Sequence, residues 1–148
     1  MLAAAIIDEL IAKETTMAKK KILIVDDNED VAKGLRILLR AHDYTTVMAS
    51  DAVSAVSEAR KENPDLIVLD LGLPAGDGYL VMERLSNIES LASIPVIVFA
   101  AREEATHKQR ALDAGAKAFF QKPVDHAVLL NTIDEILGGQ TFVQPSTA

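Results

Sequence analysis

Leu66-Ile67-Val68-Leu69-Asp70-Leu71-Gly72-Leu73-Pro74-Ala75-Gly76-Asp77-Gly78 carries more structural information than any other stretch of this chain. Four aliphatic residues in a row read as a strand buried on both faces. Asp70 closes that run, and Gly72, Pro74, Gly76 and Gly78 turn the chain at once. A charge taken out of water without a partner costs several kcal/mol or more. Asp70 therefore sits at an open loop mouth or is held by a cation.

Two other strands end in the same way. Ile22-Leu23-Ile24-Val25 runs into Asp26-Asp27, and Ala118–Gln121, which contains Phe119-Phe120, runs into Lys122-Pro123. Further strand-like runs are Thr45–Ala49 and Val96–Ala100. Between the strands lie helical stripes: Val31, Leu35, Leu38 and Leu39; then Ala52, Ala55, Val56 and Ala59, with Ser50 or Asp51 as cap. Leu80, Val81 and Leu85 form a third, and Arg110–Ala114 a short fourth stopped by Gly115. The fifth, Val128, Leu129, Ile133, Ile136 and Leu137, starts near Asp125 and stops at Gly138-Gly139.

Five β-α units in alternation predict an α/β fold, a five-stranded parallel sheet doubly wound with five helices on its two faces. In such sheets the functional crevice lies beyond the carboxyl ends of the strands. Asp26, Asp27, Asp70 and Lys122 all fall there. Three acids and a lysine at the ends of separate strands suit a divalent cation and a phosphoryl group.

Composition bounds the alternatives. The chain has 148 residues, 49% of them hydrophobic and 25% charged, enough for one ordinary domain with a normal core. Its net charge of -7 argues against nucleic acid as a partner, because phosphate binding needs a basic face. With no cysteine there are no disulfides, thiolates or Cys-based zinc sites. His42, His107 and His126 show no metal-ligand spacing and read as surface or loop residues without chemistry. Residues 1–11 are apolar but too short to span a bilayer, and Asp8-Glu9 with no basic start argues against a signal peptide. The expectation is a cytoplasmic protein with no membrane partner.

Each motif has a plainer reading. Asp26-Asp27 suits Mg²⁺, which takes a few carboxylates plus waters, yet acids also favour a helix N-terminus as caps. Asp70 alone reads as a solvated loop acid; beside Asp26-Asp27 it makes a cluster whose repulsion calls for a cation. Leu73-Pro74 and Asp77-Gly78 are adequate for a generic tight loop, with Gly78 permitting a turn or close packing. Lys122 suits a phosphate oxygen, or is a surface lysine before a turn, and Pro123 is a candidate cis residue. Met48, Met82 and Phe99 are expected in the core or at its edge. Arg102-Glu103-Glu104 reads as a solvated face.

The combination Ile24-Val25-Asp26-Asp27, Leu69-Asp70-Leu71-Gly72-Leu73-Pro74 with Asp77-Gly78, Pro95-Val96-Ile97-Val98, and Gly115-Ala116 with Phe119 and Lys122-Pro123 resembles the receiver domain of two-component response regulators, of the stand-alone type. The resemblance covers roughly 19–139, and it implies the flavodoxin-like strand order 2-1-3-4-5. It divides the chain into an N-terminal extension, 1–17, a receiver domain, 18–139, and a short tail, 140–148.

By that resemblance Asp70 is the phosphoacceptor in a phosphorelay. Asp27, Asp70 and the backbone carbonyl of Gly72 are direct Mg²⁺ ligands, Asp26 binds a metal-coordinated water, and Lys122 contacts the phosphoryl group. The donor is a histidine kinase or a histidine phosphotransfer protein. Such a module is no enzyme toward other substrates; it catalyses only its own phosphorylation and dephosphorylation. It signals by docking an unidentified downstream protein, by family analogy through the fourth helix, fifth strand and fifth helix. Gly72, without a side chain, leaves the path of an attacking water open, which Arg102 opposes.

One departure stands out. Receivers carry Thr or Ser at the end of the fourth strand, where this chain has Ala100. That hydroxyl donates to the phosphoryl group and draws the next loop inward, and a hydrogen bond to a charged group is worth roughly 1.5–3 kcal/mol. Phe119, often Tyr in the family, also lacks a hydroxyl but keeps a ring that can change rotamer. The expectation is a phosphorylatable Asp70 with a damped switch; the alternative is a pseudo-receiver that binds protein without phosphate. An aspartate-dependent phosphohydrolase would want a second acid two residues after the nucleophile, where this chain has Gly72. A dinucleotide fold would want a glycine fingerprint where Asp26-Asp27-Asn28 stands. Residues 1–16 have Leu2, Ile6, Leu10 and Ile7, Ile11 on adjacent helical rows. They are either an addition ahead of Met17 or a helix that forms a homodimer or covers the docking face.

Overall fold

Leu23 and Val25 point to one side of a central sheet and Ile22 and Ile24 to the other, all fully buried. That is the signature of a strand covered on both faces. The computed structural model describes Ile6 and residues 19–74, 77–101 and 107–138. The expectations for the segments 1–17 (Ile6 apart), Arg102-Glu103-Glu104 and 140–148 lie outside the described residues, as does Gly139.

The elements run β1 (Lys21–Val25), α1 (Glu29–Ala41), β2 (Thr45–Ala49), α2 (Ala52–Glu62), β3 (Leu66–Asp70), α3 (Asp77–Ser86), β4 (Val96–Ala100), α4 (Lys108–Asp113), β5 (Ala118–Gln121) and α5 (His126–Leu137). The sheet is parallel throughout, in the order β2-β1-β3-β4-β5. The expected fold class and strand order are both present. No helix among the described residues is long and apolar enough to cross a membrane.

Strand alternation divides the core in two. Leu23, Val25, Ile67, Leu69, Val98 and Ala100 pack on α2, α3 and α4. Ile22, Ile24, Leu66, Val68, Ile97 and Phe99 pack on α1 and α5. On α2 the buried residues are Ala52, Ala55 and Ala59, small side chains that bring the helix close to the sheet. Each fully buried aliphatic contributes roughly 1.5–3 kcal/mol.

Polar side chains settle the helix ends. Asn28 caps α1, accepting from the amides of Asp30 and Val31 at 2.9 and 3.1 Å. Asp26 and Asp27 are thus free of capping, the plainer reading left open above. Asp51, one of the two expected caps, closes a capping box with Ser54 on α2, and Asp125 accepts from the Val128 amide on α5. At the end of α4, Gly115 takes φ +112°. Its amide reaches the Leu112 carbonyl while that of Ala116 reaches Ala111, a Schellman motif. The same pair of bonds closes α1, with Asp43 at φ 70° in the glycine position.

Two local expectations need correction, and a third gains a partner. Met48 is not core; it is 39% exposed, because β2 is an edge strand with weak cover. The fourth helix starts at Lys108 rather than Arg110, and only Ala111 of it is buried, so its apolar stripe is too thin to mark the start. His42 is exposed as expected but has a partner: its Nε2 lies 3.0 Å from Asp134 Oδ2 on α5. The Tyr44 hydroxyl donates to the other oxygen of the same carboxylate.

Candidate functional site

The carboxyl ends of β1, β3 and β5 deliver their charged residues to one place because the sheet's hydrogen bonding runs on past the strands. The Asp26 amide donates to the Ala49 carbonyl at 3.0 Å, that of Leu71 to Phe99 at 2.8 Å, and that of Lys122 to Ala100 at 2.8 Å. Main chain on either side of the acids is therefore held by the sheet itself, and their side chains start from fixed points.

Asp26, Asp27 and Asp70 each offer a carboxylate oxygen, and these atoms lie within 4.8 Å of one another. Asp26 and Asp70 are buried, at 4% and 6% exposure, while Asp27 is exposed. Lys122 reaches in from β5, with its Nζ 3.2 Å from Asp70 Oδ1 and 3.8 Å from Asp26 Oδ2. The Gly72 amide also donates to Asp70 Oδ1, at 3.1 Å. The Asn28 amide donates to Asp26 Oδ1 at 2.8 Å. The Lys122-Pro123 peptide is cis.

One lysine faces three acids, and the electrostatics record the shortfall. Burial holds the Asp26 carboxyl above its ordinary value of 3.8, and the charges of Asp70 and Asp27 push the same way. The Asn28 amide and Lys122 oppose them without cancelling them. Hard oxygen donors crowded beyond the compensation at hand fit a hard divalent cation.

Close packing sets the loop beneath Asp70. A Cβ on Gly78 would lie 2.9 Å from both the Cα and the carbonyl oxygen of Leu71, and 3.2 Å from the Asp70 carbonyl. Helix α3 thus starts against the main chain of the acid-bearing loop, and only glycine permits it. Of the two uses open to Gly78 on sequence, a turn or close packing, close packing is present here.

Ala100 is fully buried at the end of β4, on the α2–α3–α4 side of the sheet. Phe119 is half-buried and packs against that same cluster. Among the described residues, those singled out from the sequence for the site thus lie at the carboxyl edge of the sheet or on the loops leaving it, apart from Phe119, which sits inside β5, while Arg102 lies outside the described residues. Two neighbouring features had no sequence signal. The Arg110 guanidinium stacks 3.7 Å over the Tyr79 ring, joining α4 to α3. A hollow of about 540 Å³ beside Lys122 is walled by Val31, Leu35, Phe99, Pro123 and Leu129. Both arise from residues far apart in the chain.

Comparison with known proteins agrees with this geometry. Residues 22–134 match the response regulator receiver domain. The chain is 32% identical over 119 residues to protein PilH of Pseudomonas aeruginosa, covering 80% of this chain and 98% of that protein. It is 34% identical to the polar-differentiation response regulator DivK of Brucella ovis, covering 80% and 97%. Among solved structures, a CheY-like receiver domain protein from Methanospirillum hungatei superposes with a TM-score of 0.75 at 27% identity, covering 83% of this chain and 97% of that one. The receiver domain of the sensor histidine kinase PA1611 from P. aeruginosa, solved with a magnesium ion coordinated in its active-site cleft, gives 0.74 at 27% identity, covering 82% and 99%. A three-acid cluster at the carboxyl edge of a 2-1-3-4-5 sheet and the match over 22–134 lead to one conclusion: the chain belongs to the receiver domain family of two-component response regulators.

Proposed function

We propose that the protein is a phosphoacceptor module: it takes a phosphoryl group from a phosphohistidine on a histidine kinase or phosphotransfer protein onto Asp70. The observation that carries this reading is the placement of Asp70, buried at the tip of β3, with Lys122 at 3.2 Å and two further carboxylates beside it.

Asp27, Asp70 and the Gly72 carbonyl are the groups that would hold Mg²⁺ directly, and Asp26 would hold it through a water. When bound, the ion supplies positive charge against the phosphoryl oxygens and relieves the repulsion among the acids. The chain's own residues do the rest. Lys122 and the Gly72 amide both engage Asp70 Oδ1, which fixes the carboxylate's direction. A carboxylate oxygen of Asp70 attacks phosphorus, a phosphorus–oxygen bond forms, and the donor's phosphorus–nitrogen bond breaks. The electron pair of that bond leaves with the imidazole, which is neutral once protonated. Lys122 neutralises charge on the transferring group, a task of positioning and electrostatics. Signalling then proceeds by protein docking, through α4, β5 and α5.

Ala100 bears on the second half of that sequence. It offers a methyl group where a hydroxyl would draw the β4–α4 connection toward the phosphoryl group, so phosphorylation moves that connection less. Restoring Thr at 100 is expected to increase the phosphorylation-dependent shifts of α4 amides in an NMR spectrum. Unchanged shifts would remove the damped-switch reading.

The test of the main reading is Mg²⁺-dependent phosphorylation by acetyl phosphate, followed by intact mass on wild type and Asp70→Asn. The expected result is one phosphate adduct in wild type only, lost when Mg²⁺ is withheld. No adduct under rapid quench would place the protein with the pseudo-receivers and redirect attention to a constitutive partner.

A further inference from the structure

Where α2 and α3 pack side by side, their outer surface carries a groove of about 490 Å³, lined by Val53, Val56, Ser57, Arg60, Lys61 and Arg84. Its two ends differ. Val53, in the first turn of α2, is 71% exposed, more than any other large hydrophobic side chain among the described residues. Arg60 and Lys61 lie in the last turn of α2, and Arg84 in the last turn of α3. A cation at a helix C-terminus offsets the helix dipole, which accounts for each of the three singly. It does not account for their meeting at one groove, beside a bare valine, on a chain of net charge -7.

Charge decides what fits. None of the three cations has an ion pair among the described residues. Lys61 adjoins Glu62 in the chain, but the Glu62 carboxylate is taken up by Lys21 at 2.8 Å. The groove therefore calls for anions at one end and aliphatic cover at the other. A flat bilayer meets only the rim of a recess between two helices, and the chain's net charge of -7 opposes an anionic lipid surface. A helix meets both demands. Val53 and Arg60 stand about 10 Å apart along α2, at 1.5 Å per residue, or two turns of a helix laid in the groove. Aliphatic residues at three- and four-residue spacing reach both valines, and carboxylates beyond them reach the cations.

We propose that the α2–α3 groove docks an acidic amphipathic helix of a partner protein, with the aliphatic stripe of that helix on Val53 and Val56 and its carboxylates on Arg60, Lys61 and Arg84. No residue of the groove belongs to the acid cluster or to α4, β5 and α5. The surface is thus separate from the phosphoacceptor reading and stands or falls without it.

The test is a ¹H–¹⁵N NMR titration of the full-length chain with a designed helical peptide of leucine and glutamate, its leucines on one face and its glutamates clustered at one end. The expected result is saturable shifts of amides in α2 and α3. Arg60→Glu combined with Arg84→Glu, both at exposed positions, should weaken that binding about tenfold or more while the sheet amides keep their dispersion. A matched leucine–lysine peptide should fail on wild type and bind the double variant. No saturable shift in α2 and α3, or equal binding of the two peptides by wild type, would overturn the proposal. So would a response of these helices to phosphatidylglycerol vesicles and not to peptide, or shifts there that grow with protein concentration alone, because the groove would then serve a membrane or a second copy.

Discussion

The two ends of the sheet handle charge in opposite ways. At the carboxyl end, Asp26 and Asp70 are buried with Asp27 beside them and one lysine between the first two. At the amino end, Lys21 meets Glu62 at 2.8 Å, and its amide donates to Asp65 Oδ2 at 2.8 Å. There the pairing is one to one and open to water. Burial raises the Asp26 carboxyl, whereas the Lys21 ammonium lowers that of Glu62. The amino end is settled by pairing, and the carboxyl end keeps an excess of negative charge that fits a divalent cation.

Four measurements would break or sharpen that contrast. The largest effect is expected from Gly78→Ala. A methyl 2.9 Å from the Leu71 main chain forces α3 off the acid-bearing loop, costing about 1–3 kcal/mol in urea unfolding. An unchanged midpoint would mean that the helix start yields freely. Next, Lys122→Met in chelator should cost about 1–2 kcal/mol, since a half-exposed charged hydrogen bond is lost and the acids stand unopposed. The loss should shrink when Mg²⁺ is added.

Asp26→Asn should act the other way and raise stability in chelator by on the order of 1 kcal/mol, by removing a buried charge. Its pH profile carries the sign. A raised carboxyl means the folded state holds the proton more tightly, so wild-type stability falls as pH climbs from 3.8 through the raised value. That fall should vanish in Asp26→Asn. The smallest effect is expected at the amino end. Glu62 is lowered, so its contribution is present above 4.5 and fades as pH drops through the folded value. Glu62→Gln should remove that acid-side loss and, by the same small amount, lower the melting temperature at neutral pH. If both ends titrate with the same sign, the contrast fails.

The sheet was readable from sequence because its strands are unbroken aliphatic runs, and the candidate site because separate runs end in charge. Asp70, Asp26-Asp27 and Lys122 are far apart in the chain, yet one architectural rule brings them to the same edge. What escaped reading was set by neighbours rather than by local pattern. Met48 looks like any core methionine until β2 proves to be an edge. Capping by Asn28 rather than by Asp26 or Asp27 depends on where the first turn of α1 falls. The Tyr44–Asp134 bond and the Arg110–Tyr79 stack each join segments whose contact no spacing announces.

The amides of Asp26, Leu71 and Lys122 donate in the extended ladder of the sheet. In hydrogen–deuterium exchange these three should behave as core protons, released only when the sheet itself opens. The main chain at this edge then has no private way to loosen: it stays in register for as long as the sheet stays closed, and smaller motions fall to the loops and helices hung from it.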